Sequence, residues 1–351
     1  MKTKIVKVDP EHFEDDQLQE ACEILRRGGL VAFPTETVYG LGGDALREEA
    51  SGRIYAAKGR PSDNPLIVHI ADKESLYDVA DHVSEKAEKL ADAFWPGPMT
   101  MIFDKKEKVP HSTTGGLDTV AVRMPSHPVA MALIRESGVY IAAPSANTSG
   151  RPSPTKAEHV QEDLDGKIDM ILDGGSVGIG LESTIVDMST ETPTILRPGY
   201  ITQQMLEEVI GEVRVDPAIV SKTMKKDVVA KAPGMKYRHY APKGQMTIVE
   251  GDTEAVIAAI NEMAAQKKAL GCRVAVIATE ETKDRYRCDM VKSIGSRRTE
   301  GSIAAGLYDI LREMDHLGAE FIFAESFEQD KLGKAIMNRM LKAAAYHLIQ
   351  V

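Results

Sequence analysis

Cysteine is scarce in this chain: Cys22, Cys272 and Cys288 are the only three in 351 residues. They lie far apart, with no CxxC pair and no histidines at zinc-ligand spacing, so neither a disulfide framework nor a structural zinc site is expected. That scarcity favours a reducing compartment, and we expect a cytosolic protein. Long apolar runs are also missing. None approaches the ~18 residues that a membrane span requires. Met1-Lys2-Thr3-Lys4 leads into only two or three apolar residues before Asp9-Pro10, which leaves no signal-peptide core. An excess of basic charge is absent as well: 43 Lys and Arg stand against 53 Asp and Glu, a formal net charge of −10. Binding to a phosphate backbone needs clustered excess cation, so a dedicated nucleic-acid-binding module is disfavoured. No stacking-aromatic motif, HExxH or Ser-His-Asp set emerges from the spacing, and hydrolytic catalysis is not indicated.

What is present points to two domains, because the length exceeds what one core usually serves. In the first half, Asp16 can cap a helix through Arg27 that ends at Gly28-Gly29. Strands are predicted at Leu30 to Phe33, Leu66 to Ile70, Met99 to Phe103, Thr119 to Arg123, Val139 to Ala143, Met170 to Leu172, Thr184 to Met188 and Thr194 to Leu196. Helices are predicted over 48–57, 84–94, 128–137, 155–164 and 202–210. Many strands among fewer helices, several joined by short turns, suggest an α/β domain built on a mixed, twisted sheet over residues 1–215. The pattern breaks between Ser221 and Lys243, where seven Lys or Arg stand against one acid around Pro233-Gly234. We read 216–244 as a linker, and its Tyr237, His239 and Tyr240 suggest a segment docked as a lid. Over 245–351 the order strand, helix, strand, helix, strand, helix predicts a small doubly wound, Rossmann-like α/β domain, its last helix spanning 331–349.

Two stretches carry the chemistry. Lys58-Gly59-Arg60-Pro61-Ser62-Asp63-Asn64-Pro65 places two cations and an amide on a stiff loop before an apolar strand, and the glycine lets backbone approach a ligand closely. Ala143-Pro144-Ser145-Ala146-Asn147-Thr148-Ser149-Gly150 follows another strand with small hydroxyl and amide side chains. Arg123 at a strand end and Arg197 before Pro198-Gly199 would add guanidinium forks suited to phosphoryl oxygens. Each of the four cations also reads as an exposed surface charge. Their common placement between apolar strands and Gly/Pro turns favours a site. Thr37, His69, Ser145, Asn147, Ser183 and Thr184 form an inventory able to orient an amino acid. His69 also reads as a core histidine satisfied by a carbonyl. Asp173-Gly174-Gly175-Ser176-Val177-Gly178-Ile179-Gly180 offers amides for an anion, yet it and Gly40-Leu41-Gly42-Gly43 read more naturally as tight turns.

Together with Pro34-Thr35-Glu36-Thr37-Val38-Tyr39-Gly40-Leu41, Ala121-Val122-Arg123-Met124-Pro125 and the linker Pro233-Gly234-Met235-Lys236-Tyr237-Arg238-His239-Tyr240-Ala241-Pro242, these motifs closely resemble the two-domain threonylcarbamoyl-AMP synthases. Their catalytic module is called a YrdC-type domain. The resemblance spans the whole chain. It implies synthesis of L-threonylcarbamoyl-AMP from L-threonine, bicarbonate or CO2, and ATP with Mg2+, the product passing to tRNA threonylcarbamoyl-transferase machinery. It implies a threonine site at Thr37, His69, Arg123, Ala143 and Thr184. It also implies an ATP site at Arg60, Asn64, Thr119, Ser145, Asn147, Arg197 and Tyr240, with Lys58 and Arg60 catalytic, and no protein metal site. Direct tRNA binding stays open. The rival readings are an RNA-binding module without catalysis and an O-carbamoyl-adenylating transferase of the hydrogenase-maturation type, whose zinc-finger cysteines three scattered residues do not supply.

Overall fold

Alternating apolar side chains decide the first sheet. Ala32, Leu41, Val68, Val122, Ala142 and Ile171 bury on one face, while Val31, Phe33, Ile141, Ala143, Met170 and Leu172 bury on the other. The second face is covered by the helices Gln19–Arg26 and Pro128–Ser137. A computed structural model describes residues 2–220, 231–233, 240–328 and 331–351. Across the sheet the strands follow the order Lys4–Lys7, Met170–Asp173, Val31–Phe33, Gly40–Asp44, Ile141–Ala142, Ile67–His69, Thr119–Arg123, Met99–Lys105, Thr184–Asp187, Thr194–Arg197 and Arg214–Val215. Ala80–Asp81 adds a short partner to Met99–Lys105. Parallel and antiparallel pairs mix along this order, as the sequence pattern suggested.

The second sheet is wholly parallel, in the order Met290–Ser293, Val274–Ala278, Phe321–Glu325, Gln245–Glu250 and Leu348–Gln350. Helix Thr253–Ala269 packs on Val249, Val274, Val276 and Phe323. Helices Glu300–His316 and Gly333–Ala343 pack on the opposite face against Met246, Ile248, Ala275 and Ile322. Both faces are thus covered, the doubly wound arrangement.

Three expectations are corrected. Gly40-Leu41-Gly42-Gly43 is a fully buried strand, not a turn. A side chain at Gly42 would meet Ile141 Cγ2 at 2.6 Å and Phe33 Cε1 at 2.8 Å, so glycine is selected for packing. The first helix is capped at Glu14, through a capping box with Gln17, and starts with a 3-10 turn over Asp15–Leu18, so Asp16 sits inside it. The final helix ends at Ala343, and the chain then forms the edge strand Leu348–Gln350. With Met290–Ser293 it is one of the two short, partly exposed edge strands of the second sheet that apolar periodicity does not reveal, and Lys4–Lys7 and Arg214–Val215 are their counterparts in the first sheet.

The two sheets meet across a seam of buried charge. Arg312 Nη2 donates to Asp163 Oδ2 at 2.9 Å and to the Pro152 carbonyl at 2.6 Å. Arg339 Nε donates to Glu182 Oε2 at 3.0 Å. Gly180, at φ +77°, lies so close to the helix Glu300–His316 that a Cβ there would stand 2.5 Å from Ala305 Cα.

Candidate active site

Strand ends and the turns after them converge on one cavity of about 700 Å3, counted out to its open mouth. Helix Glu48–Lys58 stops at Gly59, whose φ of +60° is the left-handed stop that only glycine adopts without strain, and it delivers Lys58 at its last position. Lys58 is buried, and its Nζ donates to the carbonyls of Ser145 and Asn147 and to Asn147 Oδ1. Burial and the nearby Arg60 push this amine well below the ordinary lysine value, while the three oxygens favour its ammonium form. Arg60 donates to the carbonyls of Asn64 and Pro65, is pushed down to about 10 by burial, and so remains a cation at neutral pH.

Strand Ile67–His69 runs parallel to Thr119–Arg123, with His69 opposite Arg123. His69 Nδ1 faces the Ile67 and Ile141 carbonyls at 3.0 and 3.3 Å. A carbonyl only accepts, so Nδ1 carries the proton and Nε2 keeps its lone pair. Burial, then Arg123, pushes His69 down to about 3, and the ring is neutral at working pH. Arg123 pairs with the partly buried Glu36 at 2.7 Å.

Arg197 ends its strand and binds Ser183 twice, Nε to the carbonyl at 3.0 Å and Nη2 to Oγ at 3.1 Å, while Nη1 reaches the Pro233 carbonyl at 3.3 Å. Tyr240 is buried at φ +65°, a conformation rare for a bulky residue, and stacks on Tyr308 of the second half with centroids 5.1 Å apart. Pro233 and Tyr240 both line the cavity, and Ala232 beside them is buried. Gly234, Tyr237 and His239 lie outside the described residues.

Of the residues singled out from the sequence, Thr37, Lys58, Arg60, His69, Arg123, Ala143, Ser145, Asn147, Arg197 and Tyr240 share this cavity. Four stand back from its lining, Ser183 among them as the acceptor for Arg197. Thr184 Oγ1 donates to the Ile201 carbonyl at 2.7 Å. Asn64 is buried, and its side-chain oxygen makes no hydrogen bond among the described residues. Thr119 begins the strand that ends at Arg123, about 13 Å away at the usual rise per residue. The glycine-rich 173–180 segment is no anion cradle. Its amides at Gly174, Gly175, Val177, Ile179 and Gly180 are taken by Tyr39, Asp173, Thr155, Glu36 and Thr37.

Sequence reasoning missed Arg151 and Glu182. Both line the cavity, and only their neighbours Gly150 and Ser183 had drawn attention. The Glu182 carboxylate accepts from Ser153, Tyr308 and Arg339. Among the described residues no group of three or more His, Cys, Asp or Glu could hold a metal, and no helix is long and apolar enough to cross a membrane.

The cavity therefore offers five cations, one neutral imidazole and several small polar groups, with a single balanced carboxylate. Comparison with known proteins agrees with that chemistry. The family model described as "Telomere recombination", for Sua5, YciO and YrdC, matches residues 23–199, and "Threonylcarbamoyl-AMP synthase, C-terminal domain" matches residues 201–345. The chain belongs to the threonylcarbamoyl-AMP synthase family. The threonylcarbamoyl-AMP synthase of Pyrococcus abyssi is 50% identical over 97% of this chain and 98% of its own length. That of Bacillus subtilis is 49% identical, covering 100% of both. The crystal structure of P. abyssi Sua5 complexed with L-threonine superposes with a TM-score of 0.94 at 50% identity, covering 99% of this chain and 100% of that one. Within this synthase family, then, the cavity built here from strand ends is the place to seek the reaction.

Proposed function

We propose that the chain is an L-threonylcarbamoyladenylate synthase, which joins L-threonine, bicarbonate or CO2, and ATP into L-threonylcarbamoyl-AMP and pyrophosphate. One observation carries the reading: Lys58, Arg60, Arg123, Arg151 and Arg197, from separate stretches of chain, line one cavity with the neutral His69. The neutral threonine amine attacks CO2 and gives up one proton to solvent, forming a carbamate. A carbamate oxygen then attacks the α-phosphorus, and the bond to the β-phosphate oxygen breaks as pyrophosphate leaves. No protein nucleophile is required, so positioning and charge neutralisation supply the catalysis.

Thr37, His69, Arg123 and Ala143 surround the amino acid in this reading, with Arg123 facing its carboxylate and the His69 Nε2 lone pair facing its amine. Thr184 supports that wall from behind, while Asn64, whose carbonyl accepts from Arg60, and the more distant Thr119 belong to the ATP side. Lys58, Arg60, Ser145, Asn147 and Arg197 face the nucleotide. Magnesium enters as part of the ATP substrate, bridging phosphate oxygens, and needs no protein cage. Pro233 and Tyr240 at the cavity support a lid formed by 216–244, between a catalytic domain over 1–215 and a Rossmann-like domain over 245–351. A lid would keep water from a labile acyl phosphate. We place the enzyme in the cytosol on its few cysteines, and its product in the supply of a tRNA-modifying transferase.

The test is pyrophosphate release by the purified full chain with ATP, magnesium and bicarbonate, offered each amino acid in turn. Threonine should stand out clearly. Equal rates with serine, or none with threonine, would overturn the reading.

A further inference from the structure

Glu182 is the one acid in the wall of a cavity whose other charged residues are cations, and a bare carboxylate there would repel a polyphosphate or compete with it for Arg197. In the present geometry that carboxylate is fully engaged. Glu182 Oε1 accepts from Ser153 Oγ at 2.7 Å and Tyr308 at 2.9 Å, and Oε2 accepts from Tyr308 at 2.8 Å and Arg339 Nε at 3.0 Å. Arg197 makes no ion pair with it within 4.0 Å and directs three of its five N–H donors to Ser183 and Pro233. Tyr308 and Arg339 stand on the two helices of the C-terminal sheet that face the catalytic half, and both are fully buried.

We propose that Arg339 and Tyr308 are positioning residues for the nucleotide: by occupying the Glu182 carboxylate they leave Arg197 available to phosphate. The inference deepens the synthase reading and rests on its nucleotide pocket. It gives the C-terminal domain a defined part in the reaction, as the source of a counter-charge that the catalytic half lacks. The charged and titratable groups around Glu182 are Arg339, Tyr308 and Lys342 from the C-terminal helices, Arg197 from its strand and Tyr240 from the linker. Arg339 holds the Glu182 carboxyl down at about 2 against the burial that would raise it. Burial and Arg339 together push the Lys342 amine down to about 7.

Removing Arg339 therefore has a directional signature. As pH rises, Glu182 ionises without its partner and leaves uncompensated negative charge beside the phosphate site, while Lys342, relieved of Arg339, moves up toward the ordinary lysine value and offsets only part of it. Nucleotide affinity should fall as pH rises, relative to the unsubstituted chain. The experiment is calorimetric binding of a non-hydrolysable ATP analogue with magnesium to the full chain, from about pH 6 to about pH 8.5. Arg339→Met should bind about tenfold more weakly at the alkaline end and recover toward the acid end. Glu182→Gln in the Arg339→Met background should restore most of the lost affinity and flatten the pH dependence, and threonine affinity should change by less than about twofold. Should Arg339→Met fail to fold, Tyr308→Phe reads the same quantity with a smaller loss of affinity.

Unchanged analogue binding in a folded variant, or no recovery in the double variant, overturns the proposal. An unsubstituted chain that binds the analogue but releases no pyrophosphate with threonine overturns the synthase reading alone. No analogue binding by the unsubstituted chain overturns both.

Discussion

His69 and Arg123 are register partners on adjacent parallel strands, so a neutral imidazole and a guanidinium stand side by side in the cavity wall. Their closeness has a measurable cost in stability. The folded histidine titrates at about 3, against 6.5 for the free side chain, so between those values the unfolded chain binds more protons than the folded one. Stability contributed at this position is complete above about pH 6.5 and declines as pH falls, by up to about 1.4 kcal/mol per pH unit. Urea unfolding of the wild type and His69→Gln between about pH 4 and pH 7 checks it: the difference between the two should shrink toward acid pH. A constant difference would show that the ring protonates in the folded state.

Lys58 is enclosed by three oxygens from the Ser145 and Asn147 turn, a shape suited to a compact ammonium and too small for a planar fork. Lys58→Met should lower pyrophosphate release by about a hundredfold or more, and Lys58→Arg should not restore it. Single-turnover assays at saturating ATP and threonine would check both. Recovery in the arginine variant would assign Lys58 a generic charge only.

Arg312 and Asp163 are both buried, and Asp163 also accepts the Thr148 amide at 2.9 Å, so the pair anchors the turn that carries Arg151 to the cavity. Arg312→Met removes one of the two arginines on a buried carboxylate, leaving it Arg151 and the Thr148 amide, and should cost about 1–3 kcal/mol in denaturant unfolding. Adding Asp163→Asn should return part of that loss, as a double-mutant cycle would measure.

Gly180 combines a left-handed backbone with contact against the backbone of a C-terminal helix, and neither can yield to a methyl group. Gly180→Ala should cost more than about 1 kcal/mol of stability. It should also lower nucleotide affinity, because the displaced helix carries Tyr308. Gly178→Ala, where a Cβ meets nothing within 4 Å, is the matched control and should change little.

The parts legible from sequence were those governed by local rules. Strand Thr119–Arg123 and helix Pro128–Ser137 have the bounds that apolar runs and Pro128 predict, and Ser84 and Thr202 cap their helices through side-chain oxygens. The Lys58 and Ser145 motifs were visible because glycine and proline mark their turns. Glu182 and Arg339 were not, since their pairing spans 157 residues and each reads alone as an ordinary charge within an element or loop. The strand Gly40–Asp44 was missed for the converse reason. Gly42 answers to Phe33 across a strand pair and to Ile141, a neighbour that no window along the chain contains.

The seam between the two sheets is sewn by arginines that water does not reach. Dissolved ions weaken attraction between exposed charges and leave dry pairs largely untouched. Concentrated sodium chloride should therefore strip loosely held RNA from a purified sample without prising the halves apart. A search for direct tRNA contact can begin from protein washed in this way.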